Sequence, residues 1–294
     1  MARMRSCLVD GLNIDVHGIF ARFRDPATSL TYLKIRSRGG LVTIPDTPLG
    51  LRPPFESHSP VPNLTTLYLY IEGALGLCMS ALFRFLSCSP RLRKICITAY
   101  GDVSYDIAPD QVMLLDSLVE LAYTCASADK ILPCLRLPRL QRLHVAPSSG
   151  SGRVQRLVDL LPNGGRLLLA GATKMSHFSD PTLCKVDLSG KEINASLTRV
   201  SHRSRHTTTA DWFSEGTYIL FGQIKDLTVG GPSVTPNVPI SVFENIKVLR
   251  VILDGVPSTE GSWHSLFHGR GSLSVPTRCL AHFQVTPGPT HKAS

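Results

Sequence analysis

Two pairs of histidines, His202 with His206 and His264 with His268, stand in H-x-x-x-H spacing. On a helix that spacing sets two imidazoles on one side, as two metal ligands would need, but neither pair has a cysteine pair or a third carboxylate at ligand spacing beside it. Serine, histidine and aspartate are plentiful. The chain nevertheless holds no G-x-S-x-G elbow, no phosphate-cradling glycine loop and no H-E-x-x-H motif, so the pattern offers no support for nucleophilic, nucleotide-hydrolysing or metalloprotease chemistry. Gly150-Ser151-Gly152 and Gly164-Gly165 read as turn punctuation. The expectation is a chain that is not an enzyme and that carries no cofactor and no metal.

Composition narrows the class further. At 294 residues, 43% hydrophobic and 18% charged, the chain is long enough for a sizeable core and is not of disordered composition. Its net charge of +9 suits an acidic partner or nucleic acid. The excess is spread out, and the densest basic cluster, His202-Arg203-Ser204-Arg205-His206, has no interleaved aromatics on which bases could stack. It reads as a solvated loop ahead of a phosphate-binding patch, which makes a nucleic-acid-associated scaffold the second reading of the chain. The 8 cysteines include no C-x-x-C pair, and several fall at core positions, as reduced thiols of a cytoplasmic or nuclear protein do. Asp10 interrupts the apolar run Cys7-Leu8-Val9 too early for a signal peptide. No apolar run approaches the ~18 residues of a membrane span.

The elements that would position any site come from a recurring phrase. Pro62-Asn63-Leu64-Thr65-Thr66-Leu67-Tyr68-Leu69 returns as Pro90-Arg91-Leu92-Arg93-Lys94-Ile95-Cys96-Ile97, as Pro138-Arg139-Leu140-Gln141-Arg142-Leu143-His144-Val145 and as Pro181-Thr182-Leu183-Cys184-Lys185-Val186-Asp187-Leu188. The last two apolar residues of each phrase alternate as on one face of a strand. The proline fixes φ and cannot donate a hydrogen bond, so it is expected to end a preceding helix and start the strand. A lone short strand cannot bury its apolar face, so neighbouring copies must stack. Leu64, Leu92, Leu118 and Leu140 lead successive copies at steps of 28, 26 and 22 residues, in the range of leucine-rich repeats. Ser29 to Ile35 supplies an earlier strand, and Ile224-Leu227-Val229 and Ile246-Leu249-Val251 later ones. Leu280, Phe283 and Val285 suggest a last strand.

Between strands, Leu75, Cys78, Met79, Leu82, Phe83 and Leu86 form the stripe of an amphipathic helix, as do Val154, Leu157, Val158 and Leu161. Ala108-Pro109-Asp110 followed by Val112 to Leu115 reads as a capped helix. Beyond Leu188 the phase is lost for some 35 residues, through Trp212 and Phe213. The resulting expectation is an α/β fold: an irregular leucine-rich-repeat solenoid over residues 28–255, parallel strands on its concave face and helices on its convex face. A Pro-rich insertion occupies 50–62, a lead-in 1–27, and a weakly ordered tail 256–294.

With these phrases laid out, the chain resembles the leucine-rich-repeat region of F-box proteins, in particular the large divergent family of mushroom-forming basidiomycete fungi. The likeness rests on the Pro-x-Leu-x-x-Leu-x-Leu phrases, on Ser89-Pro90 and on Phe243-Glu244-Asn245-Ile246-Lys247-Val248-Leu249. The resemblance implies a substrate receptor of a cullin-RING ubiquitin ligase, the repeats holding a protein substrate and an N-terminal F-box docking the ligase adaptor. Residues 1–27 are too short for a complete F-box and lack its Leu-Pro start.

If the strands stack in parallel, the residue between the last two apolar positions of each points onto one continuous face. Those residues are Lys34, Tyr68, Cys96, Ala122, His144, Asp187, Thr228 and Arg250, and Tyr70 extends the row. Tyr68, His144 and Arg250 stand out as contact residues, since Tyr and Arg are favoured interface anchors. The expected partner is a protein, with no membrane.

Overall fold

Four of the leading leucines close the same turn. The backbone N–H groups of Leu64, Leu92, Leu118 and Leu140 donate to the carbonyls of Val61, Ser89, Leu115 and Leu137 at 3.1, 3.0, 3.3 and 3.3 Å. Pro62, Pro90 and Pro138 therefore occupy the second position of a four-residue turn, where a fixed φ is an advantage and no N–H is required. Asp116 takes that position in the copy without a proline. The prolines thus make turns rather than simply stopping helices. The leucines that close the turns are at most 4% exposed.

The computed structural model describes residues 4–12, 14, 28–38, 61–72, 82, 86, 89–100, 112–125, 128–146, 161–162, 171–179, 183–200, 223–231, 245–253 and 282–287. The described residues are mostly strand, most of their strand pairs are parallel, and helices among them are few. It divides into two units, Met1–Ser151 with Leu160–Gly165, and Gly152–Asp159 with Arg166–Ser294.

In the first unit, β1 (Ser6–Gly11), β2 (Tyr32–Arg38), β3 (Thr66–Glu72), β4 (Lys94–Tyr100), β6 (Glu120–Thr124) and β8 (Arg142–Val145) lie side by side in parallel. Their register is set where each strand begins. The carbonyl of Arg5 accepts the N–H groups of both Thr31 and Tyr32, at 2.9 and 3.1 Å, and Thr31, Thr65, Arg93 and Val119 do the same for the strand that follows each. The hydroxyls of Thr31 and Thr65 add a bond to the carbonyls of Arg5 and Thr31. One carbonyl holding two donors leaves little freedom to slip, and a slip of one residue would turn every side chain to the wrong face.

This register stacks Leu33, Leu67, Ile95, Leu121 and Leu143 in one inward row and Ile35, Leu69, Ile97, Tyr123 and Val145 in another. None is more than 4% exposed. Each such aliphatic side chain contributes roughly 1.5–3 kcal/mol on burial, so the rows supply the common core that no single copy could form.

Met113–Leu114 is a strand, β5, paired in parallel with β7 (Leu135–Arg136). The expected helix over Val112 to Leu115 is therefore absent: Met113 and Leu115 are buried while Val112 and Leu114 are 48% exposed, a period of two. Helical structure among the described residues comprises α1 (Ala128–Ile131), a 3-10 turn over Leu132–Cys134, and Leu82 and Leu86, both buried. The other residues of the Leu75–Leu86 stripe lie outside the described residues, as do Val154, Leu157 and Val158, the insertion before Val61, and Pro181.

The second unit holds β9 (Ala172–Ser179), β10 (Leu183–Gly190), β11 (Asn194–Val200), β12 (Asp226–Gly231), β13 (Val248–Leu253) and β14 (His282–Pro287). The expectation of parallel strands throughout fails here. β10 is antiparallel to both β9 and β11, whereas β12, β13 and β14 follow β9 in parallel. β11 falls where the repeat phase is lost, because a short reversal at Gly190–Ile193 sends the chain straight back along β10, with Gly190 N–H donating to the Ile193 carbonyl at 2.8 Å. Thr173 bulges out of the β9 pairing with β10, so that Ser189 faces Lys174 and Gly190 faces Ala172. The inward rows are Leu197, Val186, His177, Val229, Val251 and Ala195, Leu188, Met175, Leu227, Leu249, each 4% exposed or less. β1 lies within the lead-in, and β14 contains the last strand expected around Phe283.

Candidate interaction surface

Because side chains alternate along a strand, the residues between the buried ones form the opposite face. In the first unit the register sets Leu8, Lys34, Tyr68, Cys96, Ala122 and His144 in one row across β1, β2, β3, β4, β6 and β8. Tyr70 belongs to the next row, with Asp10, Arg36, Thr98 and Thr124. In the second unit, Ser196, Asp187, Ser176, Thr228 and Arg250 form a row across β11, β10, β9, β12 and β13. Every candidate contact residue read from the sequence is on such an outward row.

Their surroundings differ between the units. In the second, charges cancel locally: Arg250 Nη1 is bonded to Asp226 Oδ1, and Lys185 Nζ lies 2.8 Å from Asp187 Oδ2. Thr228 stands between Ser176 of β9 and Arg250 of β13. This face carries no unbalanced charge at the candidate positions.

The outward face of the first unit is built differently. The Tyr32 and Tyr68 rings meet at 5.6 Å between centroids, and Tyr70 and Tyr100 at 6.0 Å edge to face. Arg36 lies 5.3 Å from the Tyr70 ring centre and Lys94 lies 5.5 Å from that of Tyr68. Such cation–ring contacts hold both partners in place at a half-exposed surface, each worth on the order of 0.5–1 kcal/mol. Tyr70 Oη donates to Glu72 Oε1 at 2.9 Å, and that bond holds its phenol above the usual range.

Three carboxylates border this cluster, and each is engaged. Asp10 Oδ2 pairs with Arg38 at 3.2 Å, Glu72 accepts from Tyr70, and Glu120 lies between Lys94 and Arg142, 2.5 and 3.3 Å away. Partial burial pushes the Glu120 carboxyl up, but its bonds to Lys94 and Arg142 together bring it below the ordinary carboxylate value. The hydrogen bond to Glu120, then the one with Tyr68, raises Lys94. Among the described residues, Lys34 and Arg36 have no carboxylate within ion-pair distance. They are the uncompensated charges at the centre of the face.

Tyr32, Arg36, Lys94 and Tyr100 were not singled out by reading one residue per copy. The signal was present, since each stands an even number of residues from a row position on its own strand: Tyr32 and Arg36 flank Lys34, Lys94 precedes Cys96, and Tyr100 follows it. Cys96 itself is half-buried, and burial raises its thiol, which leaves it a poor nucleophile at neutral pH. Cys7, Cys96, Cys125 and Cys134 are not in disulfides.

Among the described residues no group of three or more His, Cys, Asp or Glu side chains could hold a metal ion, and no helix is long and apolar enough to cross a membrane. His202, His206, His264 and His268 lie outside the described residues, as do Gly150-Ser151-Gly152, Gly164-Gly165, Trp212 and Phe213. No family model, curated protein or solved structure matches the chain.

Proposed function

We propose that this chain is a non-enzymatic protein-binding module that presents the outward face of its stacked strands, in an irregular leucine-rich-repeat solenoid of the kind that forms the substrate-recognition part of an F-box ubiquitin-ligase receptor. The observation that carries the reading is the tyrosine and cation cluster of the first unit. Tyr32, Tyr68, Tyr70 and Tyr100 stand with Lys34, Arg36 and Lys94 on one sheet face. Tyrosine offers large contact area at small entropic cost and arginine offers directional hydrogen bonds, the two residue types that anchor protein interfaces. The carbonyl that holds two donors at the start of β2, β3, β4, β6 and β8 supports the repeat reading, because identical bonds at successive copies are what a stacked array requires.

The test is affinity purification of the tagged chain at moderate salt beside Y68A/Y70A, with mass spectrometry of the bound proteins. Specific proteins recovered with the wild type and lost from the variant support the surface. Recovery of a ligase adaptor and cullin in the same fraction supports coupling to ubiquitination, and their absence removes that half of the proposal. The alternative, a basic nucleic-acid-associated scaffold, is favoured by the +9 charge and by Lys34 and Arg36 beside tyrosine rings. It requires binding that weakens steeply with salt.

A further inference from the structure

On the outward face of the first unit, we infer that the partner bound is an extended peptide segment carrying carboxylates at alternate positions, held by Lys34 and Arg36 and flanked by Tyr32, Tyr68 and Tyr70. This rests on the proposal that the face binds protein, and it names the chemistry of what is bound. Lys34 and Arg36 are two apart on β2 and share a face, so their Cα atoms are separated by about 6.6 Å. Alternate side chains of an extended segment repeat at that same distance, so a peptide laid along β2 brings successive carboxylates to both cations. Partly desolvated charge pairs of this kind set partner choice and register more than raw affinity.

The same face argues against nucleic acid as the occupant. Its positive centre is short. Glu120 borders it on the β6 side, and Glu72 and Asp10 border it at the far ends of β3 and β1, so a long phosphate backbone leaving Lys34 and Arg36 would run onto carboxylates. Base stacking needs open ring faces. Here Arg36 and Lys94 already lie over Tyr70 and Tyr68. A peptide needs only the edges, hydroxyls and residual apolar area of those rings.

The test uses the full chain and fluorescence anisotropy with four labelled probes: a peptide of alternating Glu and Ser, its Gln–Ser and Lys–Ser counterparts, and a single-stranded oligothymidylate of equal extended length. At about 0.1 M salt the Glu–Ser peptide is expected to bind at least about tenfold tighter than Gln–Ser. Lys34→Glu with Arg36→Glu should bring that ratio to about one, and the same charge change at the exposed turn residues Arg91 and Arg139 should leave it intact. The wild-type ratio needs no variant, so a double mutant that misfolds does not disable the test. Failure of Glu–Ser to bind, equal binding of Glu–Ser and Gln–Ser, or equal loss in the turn variant overturns the proposal. If Gln–Ser or Lys–Ser binds and Y68A/Y70A weakens it, the protein-binding surface stands and only the acidic partner falls. If oligothymidylate alone binds, through Lys34 and Arg36, both fall.

Discussion

Lowering the pH from neutral should destabilise the second unit through one residue, His177. Its side chain is 2% exposed and sits in an inward row between Val186 of β10 and Val229 of β12, with Leu197 and Val251 next along. Burial pushes its imidazole down from 6.5 to about 4. An unfolded chain takes up a proton at this side chain below pH 6.5 while the folded chain does not, so the unfolded state binds more protons and stability rises with pH between about 4 and 6.5. At about 1.4 kcal/mol per tenfold change in proton affinity, that depression is worth about 3 kcal/mol in all, of which about 2 kcal/mol is lost by pH 5. Above pH ~7 the contribution is flat. The assay is urea unfolding at about pH 7.5 and about pH 5 for the wild type and for His177→Met, which keeps an apolar side chain of similar reach. Other histidines and carboxylates titrate in both proteins, so the difference of differences isolates His177. Wild type should lose about 2 kcal/mol more than the variant on acidification. Equal losses in the two proteins would refute the argument, because a buried neutral histidine cannot be removed without changing the proton balance.

Two further perturbations address the core and the hairpin. Leu67 is 2% exposed between Leu33 and Ile95 of the neighbouring strands. Leu67→Asp forfeits its burial and strands a carboxylate there, so a loss of at least about 4 kcal/mol, read as a large drop in thermal midpoint, is expected, and an unchanged midpoint would remove Leu67 from the core. At Gly190 an added Cβ would stand 2.1 Å from the Gly171 carbonyl oxygen and 3.0 Å from its carbon, both backbone atoms. Gly190→Ala should therefore cost about 1–3 kcal/mol in urea unfolding and speed amide exchange in β9 and β10, and a change below about 0.3 kcal/mol would show that this close approach is not present.

Much of the strand arrangement was legible because it depends on local alternation. Leu33 and Ile35, Leu67 and Leu69, Ile95 and Ile97, Leu227 and Val229, and Leu249 and Val251 announce their inward face by spacing alone, and the residues between them are then outward by geometry. What failed did so for identifiable reasons. Val112 to Leu115 is a short apolar run, which a helix start and a strand accommodate equally well; pairing of β5 with β7 decides it. β9 reads Ala172-Thr173-Lys174-Met175-Ser176-His177-Phe178-Ser179, too small and polar to signal a strand, and its partners β10 and β12 supply the apolar neighbours. β11 does alternate, at Ala195 and Leu197, but no proline phrase precedes it and it departs from the repeat spacing. The prolines mark the start of each phrase in the sequence, yet their place inside a hydrogen-bonded turn depends on an acceptor three residues before the leucine.

The sequence by itself determined which side chains go inward along most strands and that copies must associate to bury them, because a period of two and the cost of exposed aliphatics are properties of the chain alone. Strand direction, register and neighbourhood were decided only in three dimensions. The reversal at Gly190–Ile193 lays β11 antiparallel to β10, and the carbonyls of Arg5, Thr31, Thr65, Arg93 and Val119, each holding two donors, align the strands that follow. From that alignment comes the surface itself. Tyr32 and Tyr68 are 36 residues apart in the chain and their rings meet at 5.6 Å, because parallel pairing of β2 with β3 sets Tyr32 opposite Thr66 and so diagonally across a single strand spacing from Tyr68.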